Sequence, residues 1–353
     1  MGGSFAHLGA RAATEVALSA HGVISQVEEH SRRSAPLLVA GAPRMGTTWV
    51  AKILSFAPGV AWISEPDNDW PDPFGLKAKL SLGRFPILAA GESAPQEYEV
   101  LWERAFAGFR QNGPLLAVAK RLETWEKTKQ DLWRAMCDHA NTRVAPWLRV
   151  FASLATPPSK REGGYPVMVK TVHAPLALEW LASRFEPRVL VVLRHPLNVI
   201  ASWLDFGWGG HYLDTHPKIQ ERFAAQWALP RLPADRSPLA AVTWEVALFT
   251  SVLHAAVENH KDWWVVSHES LCTEPVSGFR SLFARLDLTW GGEAERVLME
   301  SDRPGTGYVV TRVAAEQPES WKRRLTREQL NEIWSILSQI QAPWLERVAR
   351  DLE

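Results

Sequence analysis

Cysteine is scarce: Cys137 and Cys272 are the only two, and they lie far apart in the chain. Neither a disulfide framework nor a zinc-ligand spacing can be written from them, which fits a protein kept in a reducing cytoplasm. Charge of one sign is lacking too. The 39 Lys and Arg residues balance 39 Asp and Glu residues, so no overall field draws the chain to nucleic acid or to an anionic membrane surface. Residues 1–34 contain Arg11, Glu15, Glu28, Glu29, Arg32 and Arg33 and no long apolar run. They read as an N-terminal extension without a signal peptide or transmembrane segment. Internal repeats, low-complexity tracts and a legible dimer motif are also missing. With 46% hydrophobic residues among 353, the remainder suits a large α/β domain over about 35–345. The 18 Trp residues are read chiefly as core.

Short apolar runs alternate with helical patterns. Pro36–Gly41 reads as a strand, and Thr47–Phe56 as a helix stopped by Pro58-Gly59. Val60–Ser64 is a second strand, with Glu65-Pro66 opening a loop at its end. Pro166–Lys170 and Arg188–Arg194 are further strands around a helical stretch from Pro175 to Phe185; Pro196 starts a helix reaching about Asp205, and Trp263–Ser267 is one more strand. Continuous apolar strands between helices predict a parallel sheet with helices on both faces. Residues 67–165 read as a mostly helical insertion with Trp102, Trp125, Trp133 and Trp147 on apolar faces, walling a site beside the sheet. Thr326 and Gln329 form a capping-box pattern ahead of a last helix.

Two segments carry phosphate chemistry. Gly41-Ala42-Pro43-Arg44-Met45-Gly46-Thr47-Thr48-Trp49 lies between a strand and a helix, where backbone amides and the helix dipole hold an anion. Thr47 stands where a Walker loop has lysine, so the usual partner of the β- and γ-phosphates of a magnesium nucleotide is missing. Arg44 supplies a cation inside the loop instead. The second segment places Arg194 at the C-terminal end of a strand and Ser202 eight residues on, in the following helix. Arginine offers a fork of donors matched to phosphate oxygens, and the hydroxyl adds a neutral one. Both would meet the loop at the sheet edge where ligands bind in such folds.

These segments resemble the sulfotransferase superfamily. PRMGTTW is similar to its 5′-phosphosulfate loop and RHPLNVIAS to its 3′-phosphate motif. The likeness extends to Val169-Lys170-Thr171, the helix after Pro175, Ser267-His268-Glu269-Ser270-Leu271 and Trp321-Lys322, most of residues 36–340. The insertion is longer than in the cytosolic steroid and phenol enzymes, and their C-terminal RKG signature is missing. The pattern is closer to the bacterial and carbohydrate-type branch.

The resemblance implies a P-loop-like α/β fold and in-line transfer of a sulfuryl group from 3′-phosphoadenosine 5′-phosphosulfate (PAPS). Its product, 3′-phosphoadenosine 5′-phosphate (PAP), would leave without a metal, and the acceptor would be a hydroxyl or amine of a small molecule. Arg44, Met45, Gly46, Thr47, Thr48, Trp49, Arg194 and Ser202 are the expected nucleotide contacts. Arg44 and Lys170 would stabilise charge on the leaving phosphate. Two groups compete as general base: Glu65, in a Glu-Pro element, and His173, which matches the histidine of the cytosolic branch after one inserted residue. Rival readings are a P-loop kinase using ATP and magnesium and a non-catalytic nucleotide-binding protein.

Overall fold

The computed structural model describes residues 35–68, 72–122, 146–164, 166–208, 213–305 and 311–352. Its centre is a five-stranded sheet, all parallel: β1 (Leu37–Ala40), β2 (Ala61–Ser64), β5 (Val167–Thr171), β6 (Arg188–Leu193) and β7 (Trp264–Ser267), in the spatial order β2-β5-β1-β6-β7. A two-residue antiparallel ladder, β3 (Phe109–Arg110) with β4 (Lys160–Arg161), stands apart. Every residue of β1 and β5 is buried, as parallel strands covered on both faces require.

Side chains alternate across the sheet with period two. Leu38, Ala40, Val169, Val189 and Val191 enter one core, whereas Leu37, Val39, Met168, Leu190 and Val192 enter the other. The second core is closed by α1 (Thr47–Leu54), α10 (Pro275–Arg285) and α11 (Gly292–Ser301). The first and larger one is built from α2 (Pro73–Lys79), α3 (Gln96–Phe106), α6 (Leu178–Phe185), α7 (Pro196–Asp205), α8 (Pro238–Asn259), α12 (Arg327–Leu337) and α13 (Leu345–Leu352). Among the described residues, the other α-helices of six residues or more are α4 (Pro114–Leu122), α5 (Pro146–Ser153) and α9 (His268–Thr273).

The strands, α1 and α7 lie within a residue or two of the positions expected from the sequence. Pro196 occupies the first turn of α7, where its missing N–H costs no hydrogen bond. Thr326 and Gln329 form the anticipated reciprocal capping box of α12. The stretch from Pro175 divides into a 3₁₀ turn, Pro175–Ala177, and α6. α8 went unread because 16 of its 22 residues are buried all round, which leaves no polar face to betray a helical period. It is long and apolar enough to cross a membrane, but 78% of its most apolar window is buried inside the protein. Trp102 is fully buried as expected, whereas Trp147 is half exposed; Trp125, Trp133 and Cys137 lie outside the described residues.

Candidate functional site

The sheet order places β1 between β5 and β6, so three strand ends, Ala40, Thr171 and Leu193, open on one C-terminal edge. From Ala40 the chain enters the loop 41–46. Gly41 is required by close approach: a Cβ there would lie 2.7 Å from Thr47 Cγ2 and 3.0 Å from the Val192 carbonyl. Gly46 caps α1 in the left-handed region (φ 91°), and a Cβ would lie 2.2 Å from His268 Cδ2. The Gly46 carbonyl accepts the N–H groups of Trp49 and Val50, closing the first turn of α1. The amides at the start of a helix have no partner inside it and suit an anion. Met45 turns inward, its sulfur 3.4 Å from the Ala42 nitrogen, so its part in an anion site is confined to the backbone. Thr47 is buried and Thr48 is exposed.

Arg44 joins the two phosphate segments. Its Nε donates to Ser202 Oγ at 2.9 Å, and its guanidinium lies 4.2 Å from the centre of the Phe206 ring. Arg194 Nη1 donates to the Arg44 carbonyl at 3.0 Å, while its buried Nε has no hydrogen-bond partner. Burial presses the Arg194 pKa down; the Glu269 charge opposes this, and the charges of Arg324 and Arg312 reinforce it. These two arginines were missed by sequence reasoning. Arg324 donates to Asp205, three residues beyond Ser202, at 2.5 Å, and the Arg312 N–H is held by the Ser301 carbonyl at 3.0 Å. For Arg324 the run Trp321-Lys322-Arg323-Arg324, basic in a chain of zero net charge, was the available signal; Arg312 had none. Trp49 donates to Ser301 Oγ at 3.3 Å and packs edge-on against Phe279 and His268. His268 is pushed well toward the neutral form by burial and then by the Arg194 charge.

A different set of groups gathers beyond β2 and β5. Ser64 pairs with Lys170, and the Glu65 N–H extends the ladder to the Lys170 carbonyl at 2.7 Å. Glu65 then turns with φ 48°. Its Oε1 is bound by Lys170 Nζ, and its Oε2 accepts from Asn68 Nδ2 at 2.8 Å. Lys170 is 1% exposed and the Glu65 side chain 23%, so the carboxylate is the member of the pair open to solvent. Arg44 (φ 69°) and Glu65 are two of five described non-glycine residues with positive φ, and such strain concentrates at functional sites.

Behind Glu65 the polar groups are enclosed. Asp67 is fully buried and accepts from Thr171 Oγ1 at 2.9 Å; burial raises its pKa to about 6 against the lowering influence of Lys79. Asp72 caps α2 by accepting the Phe74 and Gly75 N–H groups, yet burial still raises it to about 7. His173 is 3% exposed, with Nδ1 3.0 Å from the buried Lys79 Nζ and its ring beside Phe85. Glu65 and His173 thus lie just beyond two neighbouring strands on one sheet edge, and the carboxylate is the more exposed of the two. Asp67, Asn68 and Lys79 were not singled out from the sequence, because only the folded chain brings Asp67 to Thr171 and Lys79 to His173. Among the described residues, no three of His, Cys, Asp and Glu converge as a metal-ligand cluster.

No family model matches the chain and no curated protein matches it. Among solved structures it is similar to the sulfotransferase domain of the curacin biosynthetic pathway, at 13% identity over 86% of this chain and 97% of that one, with a TM-score of 0.39. It is also similar to sulfotransferase STF9 from Mycobacterium avium, at 14% identity over 89% of this chain and 79% of that one (TM-score 0.36). A third is mouse sulfotransferase SULT7A1 complexed with PAP, at 10% identity over 87% of this chain and 84% of that one (TM-score 0.36). Each of these three solved proteins is a sulfotransferase by name.

Proposed function

We propose that the protein is a sulfotransferase that uses PAPS as donor and transfers its sulfuryl group to a hydroxyl or amine of a small acceptor. The observation that carries this reading is the Arg44–Ser202 hydrogen bond, which joins the loop after β1 to the helix after β6. One phosphate at the start of α1 and a second near Ser202 and Arg194 would bridge the same few residues. The unpartnered Arg194 Nε, with Arg312 and Arg324 close enough to depress its pKa, fits a second anionic group. A nucleoside triphosphate, whose phosphates run in one chain, leaves that second cluster without a purpose.

The donor supplies an activated sulfuryl group on a phosphate oxygen. As the acceptor oxygen or nitrogen bonds to sulfur, the old S–O bond breaks and its electron pair stays on the phosphate. Arg44, the amides from Gly46 to Thr48 and Lys170 oppose that developing charge. Glu65 takes the acceptor proton. Each of its oxygens already accepts one donor, and a carboxylate oxygen has a second lone pair for another. Its exposure favours it over His173, whose ring is enclosed by Lys79 and Phe85. Small acceptors, a nucleotide-binding role and a cytoplasmic setting belong to the same proposal.

The test is transfer of radiolabelled sulfate from PAPS to a mixed library of hydroxyl and amine acceptors in excess chelator. Labelled product is expected. Turnover of ATP that requires magnesium, with no transfer from PAPS, would replace this reading with the kinase.

A further inference from the structure

Glu269, in the first turn of α9, is 5% exposed and has no part in the chemistry above. Its Oε1 accepts the His195 backbone N–H at 2.9 Å and Asn198 Nδ2 at 3.2 Å, and its Oε2 accepts the Ser267 hydroxyl at 3.1 Å. The first of these amides belongs to the peptide leaving Arg194, so the bond fixes the direction in which the Arg194 backbone leaves β6. Asn198, itself fully buried, carries the connection onward. Its Nδ2 also donates to the Pro318 carbonyl at 2.8 Å, and its Oδ1 accepts the Ser320 hydroxyl at 2.8 Å and the Trp321 N–H at 3.0 Å. All the hydrogen-bonding directions of the amide are thereby used within one junction. The His195 ring stacks on Trp321 at an interplanar angle of 13° and meets Asp351 of α13 at 3.0 Å.

One carboxylate therefore joins three pieces of chain distant in sequence: the β6–α7 turn, the β7–α9 junction and the segment leading to Arg324. Removing an acceptor from buried donors leaves them unsatisfied, which costs more than the bond itself contributes. The turn would relax until water or another group reached them. The Arg194 guanidinium is bonded to the Arg44 carbonyl. Glu269 thus steers the backbone of Arg194 through hydrogen bonds and acts on its side chain only through charge.

We propose that Glu269 is a positioning residue for nucleotide selectivity: it holds the Arg194–His195 peptide and, through Asn198, residues 318–321, setting Arg194 where it meets a 3′-phosphate. Glu269 itself touches no nucleotide. The proposal rests on the bisphosphate reading of the site.

The measurement is the ratio of dissociation constants for adenosine 5′-phosphate and PAP, by calorimetry on the full chain. The wild-type protein should prefer PAP by about tenfold or more, the effect of one charge-assisted phosphate contact. Glu269→Gln keeps an oxygen for His195 and Asn198, and its amide can face the Ser267 hydroxyl; it should retain the ratio. Glu269→Asp keeps the charge but withdraws the oxygens, and should lower the ratio several-fold while the affinity for adenosine 5′-phosphate holds within about twofold. Glu269→Ala should abolish the preference, and adding it to Arg194→Ala should change nothing further in the ratio. If Glu269→Ala does not fold, the Asp and Gln pair decides. An undiminished ratio in Glu269→Asp, or equal loss of both affinities, overturns the positioning role. A wild-type protein with no preference for PAP overturns the bisphosphate reading instead.

Discussion

The two halves of the C-terminal sheet edge solve charge in opposite ways. Around β1 and β6, Arg44, Arg194, Arg312 and Arg324 gather, with Asp205 bonded to Arg324 and the Glu269 charge near Arg194. Around β2 and β5, two buried lysines have a carboxylate or imidazole at hand: Lys170 with Glu65, and Lys79 with His173 and the charge of Asp67. A cluster of partly buried cations favours an anion beside it, and the proposed donor would supply one there. In the second half, by contrast, the two lysines are balanced by partners within the protein.

The largest expected effect tests the balanced half. Glu65→Gln keeps the size and most hydrogen bonding of the side chain but cannot take a proton; turnover should fall by roughly 10²-fold to 10⁴-fold with nucleotide affinity nearly intact. His173→Asn should be milder. The reverse order would move the base to the enclosed histidine and remove the distinction between the open and shut members of that edge.

Next comes Arg44→Ala on the cationic half, expected to lower turnover by about 10²-fold, more than it weakens acceptor binding, because the charge it opposes appears during transfer. Steady-state kinetics with both substrates varied separates the two effects. Unchanged turnover would reduce Arg44 to a structural link to Ser202. Arg194→Ala should act on binding instead, weakening PAP by about tenfold or more while adenosine 5′-phosphate is little affected. Calorimetry reads the difference, and a uniform loss would mean that Arg194 serves the fold alone.

The smallest effect is thermodynamic. Asp67 keeps its proton to about pH 6 in the folded protein against an ordinary 3.8. Between those values the folded chain binds more protons than the unfolded one, so this group lowers stability as pH rises through the window. Asp67→Asn removes the titration. Relative to wild type, the variant should gain in melting temperature by a few degrees between pH 5 and 7.5. A constant difference between the two proteins over that range would show that Asp67 does not titrate there.

In both halves the residues on continuous segments were legible in the sequence, and the partners that folding brings to them, Arg312 and Arg324 on one side and Lys79 and Asp67 on the other, were not, for a physical reason. Gly41 to Trp49 and Arg194 to Ser202 are continuous stretches whose glycines, proline and spacing report their own backbone geometry. Glu65, Lys170 and His173 could also be read, since each lies just beyond or at the end of an apolar strand. Their partners could not: Lys79 reaches His173 across 94 residues, and Asp67 reaches Thr171 across 104. Glu269 and Asn198 are similar, 71 residues apart and joined only when β7 takes its place beside β6. The fold was accessible where apolar runs were short and bounded, and failed at α8, whose uniform burial erases any pattern.

The adjacency of β2 and β5 has a consequence for how such a protein can be remodelled. The strands are parallel, so the chain leaves β2 at Ser64 on the C-terminal edge and re-enters β5 at Val167 on the opposite edge, with Ala61 opposite Val167 and Ser64 opposite Lys170. The connection between them therefore crosses the sheet, and Phe74, Tyr98, Leu101, Trp102 and Ala105 on the way pack into the same core as Val169. Those inward residues tie the connection to the sheet, whereas its outward ones are free to vary. Glu65 and Lys170 meet at the C-terminal edge, in the frame itself, so changing the outward residues of the connection would leave that pair in place.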